Sequence, residues 1–333
     1  MSQTLTRELA ARFLAAAESG ESLPVGPERD RVRYWLPDYI KASEWLCLVG
    51  FDELDDDAAA VLAKHTGRLT LSKLVRLPDA SALALSRHRG GSLELDGLVG
   101  LSDAAADALS KYEGYLSLNG IATLSTAAAA AFARRHPSAH LDGLTALPAT
   151  PEHLALARML ANQFRSSRNC FTCLTELSEA AAEVLADLPD FLILDSLHLT
   201  EPLAKILARQ AHGLRLGHSA SITDGVARAL ATCPGHLVLD VGPTLSPGVA
   251  AELAVHRTGL SLIGLSCLSE ATADILAEHG PLCLCCWNLT TISETAARAL
   301  ARHKGPLTLN YFEKLPAPAA KILRPHVINS ADD

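Results

Sequence analysis

Large aromatic side chains are scarce in this sequence, at 5% of 333 residues, so a conventional core or a deep aromatic pocket has few anchors to form around. Basic runs are absent as well. With a formal net charge of −8 and no stretch of Lys or Arg long enough to follow a phosphate backbone, nucleic acid is excluded as an expected partner. No run approaches 18 consecutive apolar residues, so no transmembrane helix is expected. Arg7, Glu8 and Arg12 interrupt the N-terminal segment, which leaves no uncharged stretch for a signal peptide and makes a cytoplasmic protein the expectation. The eight cysteines lack the spacing of a secreted disulfide framework, so reduced thiols are expected.

Catalytic signatures are missing too. There is no G-x-S-x-G elbow, no phosphate-binding loop and no H-E-x-x-H. Asp195, Ser196 and His198 lie close in sequence, but Ser196 alternates to the other side of a strand from Asp195. The sequence therefore points away from an enzyme and requires no cofactor.

What it has is a period. The clearest unit runs from Leu93 to Tyr115, and the pattern L-x-L-x-G-L-x-x-L-S-x-x-A-A-x-A-L-A-x-H-x-G recurs about twelve times at roughly 23 residues from about Trp45 to about His326. L-x-L alternates with period two, which predicts a short strand with its leucines inward. A Ser, Thr, Asp or Pro follows (Asp55, Pro78, Ser102, Ser125, Pro148, Ser178 and onward), residues favoured where a helix starts. The Ala-rich stretch after it spans about two helical turns, too short to stand alone in water. A closing Gly (Gly67, Gly90, Gly114, Gly213, Gly235, Gly259) is expected to adopt a left-handed conformation and turn the chain back to the next strand. Strand, loop, helix and turn repeated in this way predict an α/β solenoid with right-handed crossovers, short parallel strands on its concave side and short helices on its convex side.

The L-x-L strand, the inward Leu ladder and the short outer helix resemble leucine-rich-repeat proteins, particularly Ala-rich bacterial arrays of the planctomycete type. The resemblance covers about 280 residues and implies a protein-binding scaffold. It departs from the family at one position: Gly-Leu (Gly97-Leu98, Gly120-Ile121, Gly143-Leu144) stands where an Asn is usual. The hydrogen bonds of an Asn ladder to neighbouring turns are therefore expected to be missing.

Residues 1–44 do not fit the unit and are expected to form a helical cap with Leu5, Leu9, Phe13 and Ala16 on its apolar face. Residues 327–333 read as a tail. Two places break the period: 151–169, with Arg158, Arg165 and Arg168, and Cys283 to Ile292, with Trp287. Insertions in solenoids map to loops, so these four residues are candidates for contact with a partner.

The outward strand position before the Gly holds Asp96, Asn119, Asp142, Asp195 and Asp240, with Glu94 beside Asp96. Neighbouring strands about 4.8 Å apart would line these into an acidic stripe, either a binding surface for an unidentified protein or a means of keeping an exposed sheet soluble. The recurrent His (His65, His88, His136, His256, His279, His303, His326) falls at helix C-termini, where capping of free carbonyls and opposition to the helix dipole are expected in preference to a metal ladder. Cys170 and Cys173 lie five repeats from Cys283, Cys285 and Cys286, so no single zinc site can use both groups. A thiol- or metal-dependent module on Cys283 and Cys285, and a self-associating structural solenoid, are the alternatives to the protein-binding scaffold.

Overall fold

A computed structural model describes residues 4–19, 44–135, 139–163, 169–217, 222–278 and 283–328. Arg165, Arg168, His136, His279 and the loop around Pro24 lie outside these residues. The chain divides into two compact units, Met1–Gln163 and Phe164–Asp333. Each is an α/β repeat array of parallel strands alternating with helices.

In the first unit the strands Trp45–Cys47, Arg68–Thr70, Ser92–Glu94, Tyr115–Ser117 and Ala139–His140 form one parallel sheet in sequence order. Leu46, Leu69, Leu93, Leu116 and Ala139 stand in register. All are 0–1% exposed, because each strand turns its leucines toward the helices and stacks them on the next repeat's. Helices Asp56–Leu62, Asp79–Leu85 and Asp103–Leu109 are seven residues each and bury two or more Ala or Leu side chains against this ladder. Such lengths are unstable alone, so packing between neighbours carries the stability.

The second unit repeats the plan with seven parallel strands from Asn169–Cys170 to Leu307–Thr308. Leu192, Leu214, Leu237, Leu260, Leu284 and Leu307 are in register. Helix starts follow the expected chemistry: the hydroxyls of Ser178, Thr200, Thr223, Ser246, Ser269 and Ser293 each accept a backbone N–H three residues on. In the first unit Ser102 and Ser125 cap in the same way and also donate to Asp79 and Asp103, in the first turn of the preceding helix.

Several expectations need correction. The N-terminal helix Arg7–Ser19 buries Ala10, Phe13, Leu14 and Ala17, not Leu9 and Ala16. Leu5 instead lies in a two-residue strand paired to Leu54, and Phe13 meets Phe51 edge-on at 6.0 Å; together these fix the helix rotation. Pro148 does not open a helix: the helix begins at Pro151, and Thr150 accepts the His153 amide at 3.4 Å. That helix runs 13 residues, to Gln163, and occupies the described part of the first irregular region.

Of the described closing glycines only Gly213 has a positive φ, of 130°. Gly90, Gly114, Gly235 and Gly259 are required by crowding: a Cβ on Gly90 would come 1.9 Å from the Gly67 carbonyl oxygen. Successive turns stack too closely there for any side chain. The second irregularity also moves. Leu260 pairs with Leu284, 24 residues on, whereas Leu237 to Leu260 and Leu284 to Leu307 are 23. The spacing from Leu284 to the cap Ser293 equals that from Leu260 to Ser269. The extra residue thus precedes Leu284, and Trp287 is not in an inserted loop.

Candidate functional site

On the first unit's strand face, the side chains opposite the leucine ladder form a laterally bonded polar layer. Trp45 Nε1 donates to Thr70 Oγ1 at 2.8 Å, and Thr70 Oγ1 donates to Glu94 Oε2 at 2.9 Å. Arg68 pairs with Glu94 while its guanidinium lies 4.3 Å over the Trp45 ring. Glu94 is 9% exposed, so it is an internal partner of this cluster and not a free carboxylate of an acidic stripe.

The next row is a ladder of side chains to backbone. Asp96 Oδ1 accepts the Asn119 amide at 3.0 Å, and Asn119 Oδ1 accepts the Asp142 amide at 3.0 Å. Ser117 donates to Asp96 at 2.6 Å, and Asn119 Nδ2 donates to Ser117 at 3.0 Å. The expectation of missing inter-turn bonds is therefore wrong here. An Asp or Asn placed one residue before the Gly supplies them, and a Cβ on Gly120, only 2.1 Å from the Asp96 carbonyl oxygen, would push the turns apart.

Asp142 lies at the end of this ladder. Desolvation raises its pKa above the usual carboxylate value; the nearby His140 lowers it and Asp96 raises it further. Tyr115, 40% exposed, packs against the His140 ring at a centroid distance of 4.6 Å, and desolvation raises its pKa too.

The second unit's strand face is built differently. Ile193, Arg215, Val238, Ser261 and Cys285 follow one another in register, with Thr308 beyond. In the row alongside, Asp240 pairs with Ile263, and Trp287 continues that row one residue past Cys286, which pairs with Leu262. Asp195 is taken by Arg215, whose Nε donates to it at 2.9 Å. Asp240 accepts the Gly242 amide at 3.1 Å and so folds over its own turn. The five sequence-predicted carboxylates are thus shared between two faces and mostly engaged. Trp287, 43% exposed, continues the row of Asp240 and Ile263. Arg158 is exposed on the 13-residue helix.

The recurrent His position is internal except at the last repeat. His65, His88, His256 and His303 are 2–7% exposed, whereas His326 is exposed. His65, His88 and Tyr112 stack at centroid spacings of 6.2 and 6.0 Å, and Tyr112 and His256 bond backbone carbonyls of the preceding repeat. Burial lowers the pKa of His65, His88 and His256, so they are neutral spacers and do not oppose the helix dipole as cations; of the three, His256 bonds a carbonyl, that of Ala231, whereas both ring nitrogens of His88 are buried without a hydrogen-bond partner among the described residues. Gln210 and Cys233 occupy the same place and reach the carbonyls of Leu188 and Gln210.

Cys283 and Cys285 flank inward-facing Leu284 on the strand face, with their sulfurs 3.2 Å apart. Burial first, then the Cys285 thiol beside it, pushes the Cys283 pKa up to about 11. Cys286 is fully buried, its pKa pushed up to about 12 by desolvation. Cys173 is exposed. Among the described residues no group of three or more His, Cys, Asp or Glu could hold a metal ion, and no helix is long and apolar enough to cross a membrane.

No protein-family model matches the chain, and no curated protein matches it. Among solved structures it is similar to an internalin from Listeria monocytogenes, at 14% identity and a TM-score of 0.38, over 91% of this chain and 88% of that one. What stands on this chain's own registers and packing is the α/β repeat array itself, of the kind that leucine-rich repeats build.

Proposed function

We propose that the chain is a non-enzymatic scaffold that binds another protein through the strand faces of its arrays. The observation that carries this reading is the pairing of rigidity with aromatic exposure. Tyr115 and Trp287 present 40% and 43% of their surface from sheets whose other side chains are largely held by neighbours. Aromatic rings on a preorganised surface contribute most of the affinity at protein interfaces, since little entropy is lost on ordering them. Asp142, beside Tyr115, adds a carboxylate that a partner's cation would favour in its charged form. Asp96, Asn119, Asp195, Asp240 and Glu94 hold the surface in shape, and Arg158, exposed on its helix, is a further candidate contact. A cytoplasmic, bacterial setting belongs to the same reading.

The test is affinity capture from an extract of the source organism, comparing the parent chain with Tyr115→Ala and Trp287→Ala. The expected result is at least tenfold loss of one captured protein with one of these variants, at unchanged helical content. Undiminished capture by both rejects the strand faces as the binding surface.

A further inference from the structure

The pair Cys283 and Cys285 is left unused by protein binding, and its geometry is specific. The two residues lie two apart on an extended strand, so their Cα atoms are about 6.6 Å apart, at the upper end of the range of about 4.4 to 6.8 Å that disulfides span. Ring closure to a disulfide would therefore strain the strand, and Leu284 between them is locked at 0% exposure in the leucine ladder. Yet the sulfurs lie only 3.2 Å apart.

Two sulfurs that far apart, each about 2.3 Å from one bridging atom, subtend an angle of about 88° there. A tetrahedral zinc would need an edge of about 3.8 Å and two further ligands; among the described residues no third His, Cys, Asp or Glu joins the pair. A two-coordinate linear ion would need a wider separation still. A near-right angle fits a pyramidal trivalent centre that bonds through orthogonal p orbitals, and soft thiolates favour such thiophilic atoms.

From this we infer that Cys283 and Cys285 form a dithiol site for trivalent arsenic, taken up as neutral arsenite. Two S–H bonds and two As–O bonds break, and two As–S bonds form. Each thiol proton leaves with a hydroxyl as water, and arsenic stays trivalent with its third hydroxyl in place. The strands on either side put hydroxyls next to that group: Ser261 pairs in register with Cys285 on one side and Thr308 on the other. Ser261 is itself fixed by His236, 2.9 Å away, whose ring fills the space over Gly259. The exchange keeps both thiol protons in the two waters and releases none, so affinity is flat between pH 6 and 8, whereas a divalent ion would displace protons and bind more tightly as pH rises.

The test uses the reduced full-length chain dialysed against arsenite, with bound arsenic measured by elemental analysis and the As–S coordination by X-ray absorption. One equivalent bound by two sulfurs, falling at least tenfold in both Cys283→Ser and Cys285→Ser and unchanged from pH 6 to 8, supports the site. Retention of half or more of the arsenic in either folded variant overturns it, as does displacement by equimolar zinc at pH 7. If the serine variants fail to fold, phenylarsine oxide on the parent chain decides. An adduct on the peptide holding Cys283 and Cys285 supports the site, and an adduct elsewhere, such as at Cys170 and Cys173, overturns it. Partner capture is independent of this result.

Discussion

The strand face of the first unit and that of the second each rest on a leucine ladder of the same kind, yet they are finished with different chemistry. Between Trp45 and Asp142 the outward side chains form a hydrogen-bonded layer running Trp45, Thr70, Glu94 and Arg68, then Asp96, Ser117 and Asn119. Between Ile193 and Trp287 they are largely Ile193, Val238, Ile263, Cys285 and Trp287, with Arg215 and Asp195 paired to each other. The lesson is that in a repeat array the inward residues are bound by the stacking rule, while the outward ones are free to diverge.

If that division holds, the largest effects should be the same in both units. Leu116→Ala and Leu239→Ala, each replacing a side chain at 0% exposure, are expected to cost about 2 to 5 kcal/mol apiece in urea unfolding. A cost several-fold smaller in one unit would break the equivalence of the two ladders.

On the outward layer the units should part. Glu94→Ala leaves Arg68 and Thr70 without their acceptor and is expected to cost about 1 to 3 kcal/mol. The loss should shrink in high salt, because Arg68 is 43% exposed. Val238→Ala removes two buried carbons, costs about 1.5 kcal/mol and should be insensitive to salt. Equal salt responses would show that the contrast between faces is only compositional.

Acid sharpens the comparison further. Buried His65 and His88 in the first unit, and half-buried His236 and buried His256 in the second, have pKa values below the ordinary 6.5. Their contribution is complete above pH 6.5 and is lost as pH falls toward the folded values, because the unfolded chain binds those protons first. Asp142 works in the opposite sense. Its folded pKa is raised, so the first unit gains stability as pH falls through that value toward the usual carboxylate pKa of 3.8. Asp142→Asn should therefore steepen the acid loss in the first unit alone, as read by urea midpoints from pH 7 to 4. No change in slope would mean that Asp142 titrates normally.

The smallest effect is on the helix side. Arg209→Ala breaks an exposed pair with Glu183 and should change stability by less than about 0.5 kcal/mol in the same unfolding assay.

The repeat was legible because its period is a local property: L-x-L, the capping Ser and the Ala run each state their geometry within a few residues. Legibility failed where a long-range contact set the outcome. Phe13 turned on Phe51 and moved the cap helix's buried face from Leu9 and Ala16 to Ala10, Phe13, Leu14 and Ala17. Register with Leu260 and Leu307 placed the extra residue before Leu284, so Trp287 begins the regular turn that follows the strand and is not part of an insertion. The stripe was visible as a row of acids, but which of them were spent could be learned only from their neighbours: Arg68 beside Glu94, Arg215 beside Asp195 and Ser117 beside Asp96.

The amino-acid order alone determined that short strands and helices alternate and that leucines face inward, since alternation and helical spacing fix which side of each element is apolar. Tertiary structure alone decided which polar groups meet. Residues some 23 positions apart become neighbours at strand spacing only when the turns stack, and it is there that a carboxylate finds a backbone amide and an Arg finds its acid, each across a repeat. A pairing between residues only two apart, Cys283 with Cys285, was foreshadowed by spacing, but its 3.2 Å approach was not.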